Sequence, residues 1–133
     1  LFYLSCDMKS VLILLLLSSC IVACTPYDSN KVNWQLLQGQ WLMQDAYYIS
    51  SDSSIVSEYQ SGDSIILSFD GDRYKEYLNS GAKVIKLRFD VSDYRIIFYK
   101  DSSIFDWTNI DVLSSDSLVL SKANRVWQYK KMQ

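Results

Sequence analysis

The chain has 133 residues, with 13 basic and 15 acidic side chains, 3 cysteines and no histidine, which bounds it to a single globular domain. Without imidazole there is no base for a serine or cysteine nucleophile, no His-ligated zinc, and no side chain that ordinarily titrates near neutrality. A formal charge of −2 with no Lys/Arg run argues against a nucleic-acid groove, whose affinity needs clustered basic charge.

The N-terminal stretch reads as a targeting segment, to be set aside before any fold argument. Met8-Lys9 supplies a short positive region and Val11 to Leu17 an apolar core of secretory-signal length, while Leu1 to Asp7 read as an over-extended start before the initiator Met8. Val11 to Ala23 is 13 residues without charge, short of the roughly 20 that a membrane-spanning helix needs. Residues 1–23 are therefore expected to be a cleaved signal peptide. Ile21-Val22-Ala23-Cys24 resembles the lipobox of bacterial lipoproteins. That resemblance implies a Cys24 diacylated through its sulfur, becoming the new N-terminus and holding the protein to the membrane. Leu17-Ser18-Ser19-Cys20 also fits the pattern, but it leaves Ile21-Val22-Ala23 on the mature tether, whereas Cys24 leaves the polar Thr25-Pro26-Tyr27-Asp28-Ser29-Asn30. Cys24 is the preferred site. Thr25, in place of the aspartate that retains enteric lipoproteins at the inner membrane, favours the outer membrane of a bacterial cell envelope. All the cysteines (Cys6, Cys20, Cys24) fall within the first 24 positions, so the domain beyond them holds no disulfide and no thiolate metal site.

After a tether to residue 34, residues 35–133 read as the folded domain, with Val32 to Leu37 predicted as a helical turn at a barrel end. Alternation of period two then dominates, with turn signals between the runs. Gln40 to Ile49 alternates Trp41, Met43, Asp45 and Tyr47 against Leu42, Gln44, Ala46 and Tyr48. The serine-rich Ser50 to Gly62 reads as a long loop with a short edge strand near Ile55. Asp63 to Phe69 and Arg73 to Leu78 flank the turn Asp70-Gly71-Asp72. In Val84 to Val91, the residues Ile85, Leu87, Phe89 and Val91 share one face against Lys86, Arg88 and Asp90. Tyr94 to Lys100, Ile104 to Leu113, Ser117 to Ser121 and Arg125 to Lys131 complete eight strands. Connections this short force antiparallel neighbours, and a meander of eight short strands closes into an up-and-down β-barrel, which abolishes the unpaired edges. The alternative all-β arrangement is an open two-sheet sandwich.

Leu36-Leu37-Gln38-Gly39-Gln40-Trp41-Leu42 resembles the opening of lipocalin-like domains, where Gly-x-Trp follows a helical turn and starts the first barrel strand. Asp116-Ser117-Leu118-Val119-Leu120 with Arg125-Val126-Trp127-Gln128-Tyr129-Lys130 resembles the last hairpin of the small lipocalin-like lipoproteins of Bacteroidota. Ser92-Asp93-Tyr94 is a near variant of the family's Thr-Asp-Tyr. The resemblance implies a barrel end closed by Gly39 and Trp41, with Arg125 stacked across the indole.

If the barrel is hollow, strand parity turns Asp45, Tyr47, Phe69, Phe89 and Phe98 toward the interior as the lining of a ligand cavity. Asp70-Gly71-Asp72 begins like a calcium loop, but Tyr74 and Lys75 replace the next ligands and no glutamate closes it. Two carboxylates such as Asp45 and Glu76 would suit glycoside hydrolysis, yet the sequence does not fix their separation. No metal or cofactor is called for. The expectation is a monomeric, non-enzymatic lipoprotein held to the membrane by its lipid, binding a small hydrophobic or amphipathic ligand in the barrel and gated by the Ser50–Gly62 loop. The alternative is an envelope interaction module whose filled barrel binds a protein or glycan through its loops or outer face.

Overall fold

A computed structural model describes residues 26–58, 64–81 and 84–133. Cys20 and Cys24, with the whole leader, lie outside the described residues. The helix α1 (Asn30–Leu37) is followed by β1 (Gly39–Ile49), β2 (Ile55–Ser57), β3 (Ile65–Asp70), β4 (Arg73–Leu78), β5 (Val84–Ser92), β6 (Arg95–Lys100), β7 (Ser103–Leu113), β8 (Ser117–Lys122) and β9 (Arg125–Lys131). Every strand pairs antiparallel with its chain neighbour from β3 onward, and β9 returns to pair with β1 from Trp41↔Lys131 to Tyr48↔Arg125. That last pairing closes an eight-stranded barrel and excludes the open sandwich. β2 is an extra strand: it takes over the edge of β1 at Tyr47–Ile49 after β3 has paired with Gly39–Leu42.

Alternation puts apolar side chains inside, and Trp41, Leu67, Phe69, Ile96, Leu113 and Leu118 are almost wholly buried there. The helix lies across one pole. Ser29 caps it, its Oγ accepting the Val32 amide at 3.2 Å, and Leu37 enters the core while Trp34 and Leu36 pack at its edge. Its two ends are tied to two hairpin turns. At the N-terminal end, Asn30 Oδ1 accepts the Asp93 amide at 3.1 Å and Asp28 accepts the Tyr94 hydroxyl at 3.2 Å. At the C-terminal end, the Gln38 amide exchanges hydrogen bonds with the backbone of Gly71, at 2.7 and 3.1 Å.

The pole is sealed by Trp41 and Lys131. The indole Nε1 donates to the Leu37 carbonyl at 2.8 Å, and Lys131 Nζ sits 4.5 Å from the ring centroid while donating to the Gln38 carbonyl at 2.7 Å. The ammonium thus satisfies carbonyls left open at the end of α1 and lies over a π face at once. Burial lowers its pKa. Gly39 has no Cβ because one would stand 2.8 Å from Lys131 Cε, and its φ of +121° is closed to other residues.

Arg125 therefore does not stack across Trp41. It opens β9 at the opposite pole, opposite Tyr48, and forms an ion pair with Glu58 at 3.2 Å. The cation over the tryptophan comes from the end of the same strand, six positions on and of the same parity.

Lys131→Ala should cost about 2–3 kcal/mol, combining a partly buried cation–π contact with stranded carbonyls. Arg125→Ala, which removes a largely exposed pair, should cost no more than about 1 kcal/mol. Urea unfolding of the two variants measures both, and equal losses would show that Lys131 is not the closing cation.

Candidate functional site

Inward side chains become steadily more accessible from the sealed pole toward the other. Along β5, Val91 and Phe89 are buried at 4% and 3% exposure, Leu87 is half-buried, and Ile85 reaches 37%. β9 repeats the gradient, from buried Tyr129 through half-buried Trp127 to exposed Arg125. The half of the barrel remote from α1 is therefore the accessible one, and it is the candidate cup.

The floor of the cup is aromatic. Phe69 packs on Tyr74 at 5.2 Å and on Phe89 at 5.0 Å, and Tyr74 on Phe98 at 4.5 Å, in tilted and edge-on geometries. The three phenylalanines read as cavity lining do face inward, but they are packed together as a floor rather than set apart around a void. Glu76 stands above them and accepts the Tyr74 hydroxyl at 2.8 Å. The pKa values of Tyr74 and Tyr129 are raised, chiefly by burial and then by the Glu76 charge.

Asp45 and Tyr47 do not join this lining. The β1–β9 register slips between Met43 and Asp45, so the alternation reverses: Ala46 opposes Trp127 and Tyr48 opposes Arg125 on the inner face, while Asp45 and Tyr47 turn outward. Asp45 spends one oxygen on the Ala46 amide at 2.9 Å. It lies on the opposite face of the wall from Glu76, so these two carboxylates do not form a glycosidase pair.

Near the mouth Ile49, Ile55, Val56, Val84, Ile104 and Phe105 are exposed apolar side chains at the strand ends. Polar pairs stand among them. Lys122 bonds Asp106 and lies 4.9 Å from the Trp107 ring centroid, and Arg125 holds Glu58. Burial would raise the pKa of Asp106, but Lys122 and the Trp107 amide outweigh it and leave it lowered. Beside the mouth, the β1–β2 turn is fastened by Asp52, whose carboxyl is held at about 2 by hydrogen bonds from Ser50 and Ser54.

A concavity of about 590 Å³ lies along the outer wall. Its lining is mainly the outward-facing set, Ser68 and Asp70 of β3, Arg73 and Lys75 of β4, Lys86 and Arg88 of β5, and Tyr99, Lys100 and Asp101 at the end of β6, completed by Tyr74 and Leu87, whose side chains face inward. Five cations face two carboxylates on a chain whose net charge is −2. The sequence concealed this cluster because its members alternate with core residues on separate strands.

Among solved structures, a lipocalin-like protein from Bacteroides uniformis matches with a TM-score of 0.56 and 14% identity over 73% of this chain and 99% of its own. The fold is lipocalin-like. An uncharacterized protein from Bacteroides eggerthii matches equally, with a TM-score of 0.56 and 15% identity over 72% of this chain and 99% of its own. At these identities the likeness is one of fold alone. No protein-family model and no curated protein matches the chain. Within the lipocalin-like barrel Gly39 and Trp41 occupy the sealed pole, and the cup is its open end.

The two buried phenols make the barrel sensitive to alkali. Their folded pKa values lie above the ordinary 10.0, so the stability they contribute is complete below that pH and is lost as pH rises beyond it. Thermal melts should fall steeply above about pH 10 together with late tyrosinate absorbance. Tyr129→Phe should flatten that fall, and an unaltered alkaline limb would contradict the assignment.

Proposed function

We propose that this chain is a lipid-anchored, non-enzymatic binding protein of the bacterial cell envelope, whose open cup takes the apolar part of a small amphipathic molecule. The observation that carries this reading is the gradient of exposure on the inner wall. The barrel is packed from its sealed pole up to the aromatic floor and accessible only beyond it. An apolar group seated on Leu87, Ile65 and Trp127 gains roughly 25 cal/mol for each Å² of apolar surface removed from water. Glu76 offers an acceptor at the floor, and the charged pairs at the rim suit a polar head left in solvent. A lipocalin-like fold supports binding as the general role, with the cup rather than a deep cavity as its place.

The anchor rests on the lipobox-like Ile21-Val22-Ala23-Cys24 and the polar stretch after it. Multiple acyl chains hold a protein firmly, at about 0.8 kcal/mol for each buried methylene. Thr25 favours the outer membrane. In cells, Cys24→Ser should move the protein out of the membrane fraction, and continued membrane retention with Cys20 intact would shift the lipid to that cysteine.

The cup is tested with N-phenylnaphthylamine, a neutral apolar fluorophore. Saturable enhancement at one equivalent is expected, weakened about ten-fold or more by Ile65→Arg, which sets a guanidinium across the mouth. Circular dichroism confirms that the variant folds. Enhancement that fails to saturate, or that survives Ile65→Arg unchanged, would falsify the cup as the binding site.

A further inference from the structure

We infer that the cleft on the outer wall of β3–β6 binds a saccharide carrying two phosphate groups, at a site separate from the cup. The register sets like charges directly against each other: Arg73 opposes Arg88, and Lys75 opposes Lys86. Opposed like charges on one sheet face destabilise it, and the chain has acidic residues enough to avoid them. Among the described residues, Arg73, Lys75, Lys86 and Lys100 form no ion pair. Arg88 has Asp72 at 3.9 Å, with both side chains about two-thirds exposed, and Asp70 stands opposite Arg73 in the register without closing an ion pair. Four cations are thus held in a square whose repulsion an anion would relieve.

The square has a definite spacing. Positions two apart along a strand are separated by about 6.5–7 Å, and opposed positions by about 4.5–5.5 Å. Each opposed pair straddles one phosphate, and the two pairs accept two phosphates about 7 Å apart. The arginine pair offers forked donors and the lysine pair compact charges.

What surrounds the square points to a sugar between the phosphates. The carboxylates Asp70 and Asp101 lie in the same cleft and repel phosphate, while each accepts hydrogen bonds from hydroxyl groups. The Ser68 hydroxyl both donates and accepts, and Tyr99, opposite Arg88, adds a ring. The volume of about 590 Å³ falls among ligand pockets. A free phosphosugar and the headgroup of a phosphorylated glycolipid present the same chemistry.

The test is calorimetric titration of the full chain, in non-ionic detergent, with a hexose bisphosphate, the matching hexose monophosphate and inorganic phosphate. The bisphosphate should bind about ten-fold or more tighter than either, and more weakly as salt rises. Lys75→Glu should abolish that preference while raising the melting temperature of the unliganded protein, since it turns a repulsive pair into an attractive one. Lys31→Glu, an equal charge change on α1, should leave binding intact, as should Ile65→Arg in the cup. Equal affinity for mono- and bisphosphate, or affinity indifferent to Lys75→Glu, overturns the inference. Flotation with phosphatidylcholine vesicles, with and without phosphatidylinositol bisphosphate, separates the sources: selective flotation points to a headgroup, and binding of the free sugar without flotation to a soluble ligand.

Discussion

The ammonium of Lys131 is the point on which this barrel closes. It comes from the last strand, lies over a tryptophan of the first, and completes the carbonyls at the end of the helix that crosses the pole. Three elements distant in sequence are joined there by one side chain, and the nearest backbone must be glycine to admit it. Burial opposes the charge and lowers its pKa, and the π face and carbonyl dipoles offset part of that cost. With that pole fixed, the strands need no further stopper, and the opposite pole is left open.

Close packing and accessibility are consequently segregated along the barrel axis. The half next to α1 is packed with aromatic and aliphatic side chains that touch one another. The remote half keeps its inward side chains in partial contact with solvent and its rim apolar. A domain without disulfides must draw its cohesion from such a core, and this one concentrates it where α1 and the ends of eight strands converge.

Much of the architecture was legible in the sequence because the pattern is local. Alternation in Val84 to Val91 and the Asp-Gly turn at 70–72 report directly on strand and hairpin, and Arg73–Leu78 and Arg125–Lys131 have the limits read from pattern alone. The helix begins at Asn30, two residues before Val32, because Ser29 supplies its cap. The failures share one cause, a dependence on register. A single slip after Met43 inverts the facing of Asp45 and Tyr47, and only the break in alternation from polar Gln44-Asp45 to apolar Ala46 hinted at it. The closing cation was sought at the wrong end of β9, although parity places Lys131 on the same face as Tyr129 and Trp127. The basic square leaves no trace as a charge run, since its members are split between two strands, with Asp72 and Glu76 beside Arg73 and Lys75 and apolar neighbours around Lys86 and Arg88.

Both ends of the described chain arrive at one pole. Residues before α1 lead in beside the sealed end, and Met132 donates its amide to Gln40 at the start of β1. Whatever continues the polypeptide in either direction is attached beneath the floor, at the pole away from the cup. The barrel is therefore built like a goblet with its stem at the foot: any segment joined to either end of the described chain would sit at that pole, leaving the mouth at the far one.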